Sequence, residues 1–206
     1  MLLDQQTFAK VVICGSSTVG KTTIFNQIVN HRFDMETTST TGASFASVTY
    51  QLNDEEVHIN FWDTAGQEEY RSLVNIYFRE TDAVLIVFDL TKHKTFEDVD
   101  SWMDEVYANC GIPLPQVIVI GNKSDLEENR EVTQNQIDEF ILKTSIPYFE
   151  ISAKSGSNVE LLMKNIGLTS SQCIKAKLAR KAEFVNLNQQ SPVKENKDEE
   201  SDQKCC

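Results

Sequence analysis

Residues 15–22 read GSSTVGKT and follow the apolar run FAKVVIC at 8–14. The spacing is G-x-x-x-x-G-K-[ST], and each fixed position has a physical task. Gly15 and Gly20 allow a turn tight enough for successive backbone N–H groups, across Ser16, Ser17, Thr18 and Val19, to aim at phosphate oxygens. The helix opening near Gly20 adds the positive end of its dipole. Lys21 brings a mobile charge to the outer phosphates, and the Thr22 hydroxyl, with Thr23 beside it in the first helical turn, is a hard oxygen donor suited to Mg²⁺. A loop that merely joins a strand to a helix needs neither the lysine nor the threonine. The indicated guest is a nucleoside triphosphate, with the base unspecified.

Two further stretches choose the base and the reaction. GNKSD at 121–125 ends another apolar run. A carboxylate at Asp125 can accept from both the ring N–H and the exocyclic amine of guanine, a donor pair that adenine lacks. Asn122 ties the loop and bonds the edge of the base, and the aliphatic stem of Lys123 lies on its ring. SAK at Ser152, Ala153 and Lys154 completes that pocket through the Ala153 N–H. WDTAGQE at 62–68 follows a strand. There Asp63 can bind Mg²⁺ through water, the Gly66 N–H can meet a γ-phosphate, and Gln67 can orient the attacking water. An ATP-using kinase built on the same loop is disfavoured by Asp125.

These residues need a scaffold that brings them to one place. Apolar runs at 8–14, 83–90, 116–122 and 148–152 have the near-continuous hydrophobicity of parallel strands buried on both faces. KTTIFNQIVN at 21–30 reads as a helix, and FEDVDSWMDEVYANC carries an apolar stripe of Phe96, Val99, Trp102, Met103, Val106 and Tyr107. SVTYQL and VHINFW alternate on either side of NDEE and form a hairpin added to the sheet edge. A doubly wound order of this kind places a ligand beyond the carboxyl ends of the strands, where every motif above falls.

Bulk properties narrow the function classes. The 206 residues and 40% hydrophobic content suit one domain with a proper core. A formal charge of −12 disfavours contact with nucleic acid and a basic membrane-docking patch. The five cysteines, Cys14, Cys110, Cys173, Cys205 and Cys206, lack framework spacing and read as reduced thiols. No Cys/His cluster suits zinc, and His31, His58 and His93 have no partner cluster. The first ten residues show no signal peptide, and the longest apolar runs, AVLIVF and VIVI, cannot span a bilayer. Past Ala182 the chain turns polar and charged and reads as a flexible tail.

The ordered set GSSTVGKT, WDTAGQE, NKSD and SAK resembles the Ras superfamily of small GTPases over residues 7–181, and EYRSLVNIYFRE, LIVFDLT and the terminal CC resemble its Rab family. The resemblance implies an α/β P-loop G domain: a mostly parallel six-stranded sheet with one antiparallel edge hairpin strand and helices on both faces. It implies a short N-terminal extension at 1–6, the G domain at 7–181 and a hypervariable tail at 182–206. By the same likeness, Thr40 in STTGASF ligates Mg²⁺ and touches the γ-phosphate, its neighbour Thr41 being a competitor that spacing disfavours. Phe33 packs edge-on against guanine, while Phe45, Trp62 and Tyr77 form a hydrophobic triad that meets effectors. Two departures stand out: Ser17 replaces a glycine of the Ras branch, and Thr18 places a stiff β-branched residue where relatives carry Gly or Ala.

The function implied is a GTP/GDP-operated switch of vesicle or endosomal membrane traffic. It would hydrolyse GTP slowly, with Mg²⁺, Lys21 and Gln67, and work with an exchange factor, an activating protein, effectors and a prenyl-dependent chaperone. The alternative is a GTP-binding effector platform whose turnover Thr18 has damaged. Cys205 and Cys206 resemble the double-cysteine ending that receives two geranylgeranyl chains, which would hold a cytoplasmic protein on the cytosolic face of vesicle or endosomal membranes.

Overall fold

The computed structural model describes residues 7–31, 43–64 and 76–189, with side chains as far as 183. Phe33, Thr40, Thr41, Gly66, Gln67, Cys205 and Cys206 lie outside these described residues. Six strands, β1 (Ala9–Cys14), β2 (Ala43–Leu52), β3 (Glu55–Thr64), β4 (Ala83–Asp89), β5 (Gln116–Asn122) and β6 (Tyr148–Glu150), form one sheet in the order β2-β3-β1-β4-β5-β6. All neighbours are parallel except β2 and β3, the antiparallel edge hairpin. Among the described residues the long helices are α1 (Lys21–Asn30), α2 (His93–Asn109), α3 (Gln134–Thr144) and α4 (Val159–Gln189), with a short 3₁₀ turn at Glu127–Asn129.

The period of two along each central strand explains why the sheet needs cover on both sides. Val11 and Ile13 of β1, Leu85 and Val87 of β4, and Ile118 and Ile120 of β5 point to one face. There they pack with Ile24, Phe25 and Ile28 of α1 and Leu162, Met163 and Ile166 of α4. The alternate residues Val12, Cys14, Val84, Ile86, Val117 and Val119 meet Val99, Trp102 and Val106 of α2 and Ile137 of α3 on the other. Every residue of β4 is therefore buried, which is why its sequence AVLIVFD shows no polar alternation.

Several boundaries differ from the sequence reading. The hairpin is longer than SVTYQL and VHINFW: Leu52 pairs with Glu55, so Glu55 and Glu56 belong to β3. Asn53 makes the tight turn at φ 53°, a left-handed conformation that asparagine tolerates. β4 stops at Asp89 rather than Leu90. β6 ends at Glu150 rather than Ser152, because the Ile151 N–H makes a last bond to Gly121 O and the Ser152 N–H turns away to Ser157 O. The α4 backbone stays helical to Gln189, past the Ala182 from which a tail is expected in the sequence. No Gly or Pro interrupts the chain between Gly167 and Pro192, so nothing local stops the helix at 182.

Candidate functional site

The GSSTVGKT loop leaves the carboxyl end of β1 and enters α1. Gly15 has φ 139°, and a Cβ there would lie 2.2 Å from Val87 O, so only glycine lets the loop cross β4 this closely. Gly20 caps α1 with φ 95° and no side-chain cap bond, which leaves the first-turn N–H groups of the helix to other acceptors. Ser17 and Thr18 are exposed, Val19 is buried in the core, and Ser16 and Thr23 are half-buried.

Lys21 is buried, and its Nζ donates to Gly15 O (2.9 Å) and Ser16 O (2.8 Å), which pins the ammonium to the loop. Burial lowers its pKa to about 8, against the opposing pull of Asp63. Thr22 Oγ1 donates to Asp63 Oδ2 at 2.6 Å, joining α1 to the end of β3. Asp63 is fully buried, and burial pushes its carboxyl up to about 6 despite the Thr22 bond and the nearby Lys21. Its Oδ1 is buried with no hydrogen-bond partner among the described residues. A hydroxyl beside a buried, half-satisfied carboxylate is a hard-oxygen donor set, and no cluster of three His, Cys, Asp or Glu exists among the described residues to favour a softer metal. The chemistry of these donors fits Mg²⁺.

The residues of the 121–125 and 152–154 stretches are tied to the 15–22 loop directly. Asn122 Nδ2 donates to Val19 O (2.9 Å), and its Oδ1 accepts from the Ala153 N–H (3.1 Å). The Ala153 N–H, expected to meet the base, is thus engaged in holding two loops together. Lys123 Nζ donates to Thr18 O (3.0 Å) and forms an ion pair with Asp89 Oδ2 (2.6 Å). Ser152 Oγ donates to Asp125 Oδ1 (2.6 Å), whereas the exposed Lys154 reaches Asp125 Oδ2 only at 4.0 Å. Asn122, Lys123, Asp125, Ser152, Ala153 and the 15–22 loop therefore form one continuous constellation at the carboxyl end of the sheet.

Thr18 stands at φ 66°, where a β-branched residue is strained by about 1–3 kcal/mol. The surroundings hold it there: Lys123 takes its carbonyl and Lys92 Nζ donates to its hydroxyl (3.1 Å). Asp89 went unnoticed in the sequence, although a carboxylate closing an otherwise apolar strand is a signal for a buried ion pair. Away from this cluster, Phe45 and Trp62 face each other across the hairpin with ring centroids 4.9 Å apart, and Trp62 meets Tyr77 at 5.6 Å. Phe45 remains half exposed, and Lys10 Nζ sits 5.6 Å from the Trp62 ring centre.

Comparison with known proteins agrees with this arrangement. Residues 10–171 match the model of the Ras family. The chain is 36% identical over 173 residues to the human Ras-related protein Rab-27B, covering 79% of each chain. It is 39% identical over 170 residues to Ras-related protein Rab-7a of Dictyostelium discoideum, covering 81% of this chain and 84% of that one. It is 41% identical over 165 residues to the GTP-binding protein yptV5 of Volvox carteri, covering 78% and 80%. The chain belongs to the Ras family of small GTPases, and to its Rab branch. It is a GTP-hydrolysing switch of the kind that operates in vesicle and endosomal traffic.

Proposed function

We propose that the residues from Gly15 to Thr23, with Asn122, Lys123, Asp125 and the Ser152–Lys154 loop, hold the guanine nucleotide, and that Thr22, Asp63 and Thr40 hold Mg²⁺. The observation that carries this reading is the direct bonding of the base-side loop to the phosphate loop, Asn122 to Val19 and Lys123 to Thr18. One ligand with a base at one end and phosphates at the other fits such a joined pair.

In this reading Lys21 and the loop N–H groups balance phosphate charge, Asp125 reads the base, and Phe33 packs on its edge. When bound, Mg²⁺ neutralises charge that builds on the phosphate oxygens in hydrolysis. Gln67 aligns the water, while Thr40 and Gly66 contact the γ-phosphate and so order residues 34–45 and 64–79 into one surface with Phe45, Trp62 and Tyr77 at its centre. Loss of the γ-phosphate releases both segments. An exchange factor, an activating protein, effectors and a prenyl-dependent chaperone complete the cycle. Geranylgeranyl groups on Cys205 and Cys206 anchor the protein to vesicle or endosomal membranes from the cytoplasm.

Single-turnover hydrolysis separates the enzyme from a GTP-bound platform. Wild-type protein loaded with GTP should release phosphate slowly, and Gln67→Leu should slow it further by about 10-fold or more. Equal inertness of the two proteins would instead support the platform reading, to which the strained Thr18 gives its physical basis.

A further inference from the structure

The phosphate loop touches more than the base-reading loop. Ser16 Oγ donates to Asp98 Oδ2 at 2.9 Å, and the Nε1–H of Trp102 approaches the same hydroxyl at 3.5 Å. Asp98 and Trp102 are one turn apart on α2. Two residues on from Ser16, the Thr18 hydroxyl accepts from Lys92, the residue that immediately precedes α2. The loop is therefore held from the α2 side at two points, in addition to the bonds that Asn122 and Lys123 make from the other side.

Helix α2 is itself fixed. Val99, Trp102 and Val106 are buried in the core beneath the sheet. Its first turn is locked to β4, since the Asp89 N–H donates to Thr95 Oγ1 (2.9 Å) and Thr95 Oγ1 donates to Lys92 O (2.8 Å). Lys94 Nζ lies 3.3 Å from Asp98 Oδ1, which steadies the carboxylate that Ser16 uses. A side chain on so rigid a support can hold a loop in a conformation that the loop would not keep alone, and Thr18 at φ 66° is such a conformation.

We propose that Asp98, acting through Ser16, and Lys92, acting through Thr18, are positioning residues that clamp the phosphate loop to α2 and set how long the bound nucleotide is retained. Neither residue needs to touch the nucleotide. The clamp rests on the reading of the 15–22 loop as the phosphate site. Its consequence is that the N-terminal half of α2 becomes a second place, apart from the segments around Thr40 and Gln67, from which nucleotide release is controlled. A partner that pulled Lys92 or Asp98 away would loosen the loop without entering the site.

The test follows release of a fluorescently labelled GDP in the presence of Mg²⁺ from the full chain. Ser16→Ala and Asp98→Ala should each accelerate release by about 3- to 10-fold, the range expected for losing one ordinary, partly exposed hydrogen bond. The double variant should release no faster than the faster single one, because both changes break the same bond. Asp98→Asn keeps an acceptor oxygen for Ser16 and should stay within about twofold of wild type. Lys92→Met removes the other tie and should multiply the effect of Asp98→Ala. Unchanged release in Ser16→Ala, or equal acceleration by Asp98→Ala with and without the Ser16 hydroxyl, would overturn the clamp. Should Asp98→Ala fail to fold, Ser16→Ala and Lys92→Met decide alone. Wild-type protein that retained no guanine nucleotide would sink the phosphate-site reading as well, whereas retention with unaltered release in the variants sinks the clamp only.

Discussion

Asp125 and Asp89 are both carboxylates beside a lysine, yet their surroundings give them different work. Asp89 is fully buried, its charge is matched by Lys123 at 2.6 Å and its Oδ1 accepts from the Thr91 N–H (2.9 Å) and hydroxyl (2.7 Å), so it positions that lysine and the turn after β4. Asp125 stands nearer the surface, oriented by Ser152 at 2.6 Å and with Lys154 no closer than 4.0 Å, which leaves its lone pairs able to accept from a base. Asp125→Asn tests that division. An amide donates where guanine also donates, so GTP affinity should fall by about 10- to 100-fold. Xanthine carries a carbonyl in place of the exocyclic amine, so xanthosine triphosphate should gain on GTP. Displacement of labelled GDP by each triphosphate measures both, and unchanged GTP affinity would remove Asp125 from the base pocket. The sequence made Asp125 legible because a short motif at a strand end carries its spacing with it. It hid Asp89 because the partner lies 34 positions away along the chain and only the β4–β5 pairing of Asp89 with Asn122 brings them together.

Strands buried on both faces wrote themselves plainly into the chain, as AVLIVFD and QVIVIGN show, since each side chain must satisfy a packed neighbour. The last turns of α4 did not: KAEFVNLNQ is polar, and its helical backbone follows from the absence of a breaker rather than from an apolar stripe. Equally invisible was the link from the loop before α3 to β6. Arg130 makes a bidentate pair with Glu150, both bonds at 2.8 Å, and also donates to Val132 O. Tyr148 adds a bond to Glu150 at 3.2 Å. Glu150 ends β6 just before the Ser152–Lys154 loop, so this pair braces the loop that carries Ser152. The Arg130 hydrogen bonds hold the Glu150 carboxyl below its ordinary 4.5. A lowered carboxylate pKa stabilises the fold above the unfolded value and loses that contribution as pH falls through the folded one. Glu150→Gln should therefore cost about 1–2 kcal/mol in urea unfolding near neutral pH. The gap between the two proteins should stay level down to about pH 5 and narrow below 4.5. A gap that persisted undiminished well below that value would mean that the pair contributes through shape rather than charge.

The molecule as a whole carries a formal charge of −12, and among the described residues no helix is long and apolar enough to cross a membrane. Attachment of such a protein to a bilayer must overcome repulsion from anionic headgroups or do without them. In its last 17 residues, Lys194, Lys197 and Lys204 are outnumbered by Glu195, Asp198, Glu199, Glu200 and Asp202, so the tail offers no polybasic cluster to phosphatidylserine. Two prenyl chains on Cys205 and Cys206 would supply about 0.8 kcal/mol for each buried methylene, enough for stable anchoring without electrostatic help, whereas one chain gives only reversible contact. The expected outcome is specific to this charge pattern. Chain prenylated at both cysteines should sediment with neutral phosphatidylcholine vesicles at least as well as with vesicles containing about 20% phosphatidylserine, and adding salt should raise binding to the anionic vesicles by screening the repulsion. Protein lacking residues 205–206 should remain in the supernatant with both. A rise in binding of about tenfold on adding phosphatidylserine would show that the few lysines act together despite their acidic neighbours, and would place part of the membrane address in the chain's own charge.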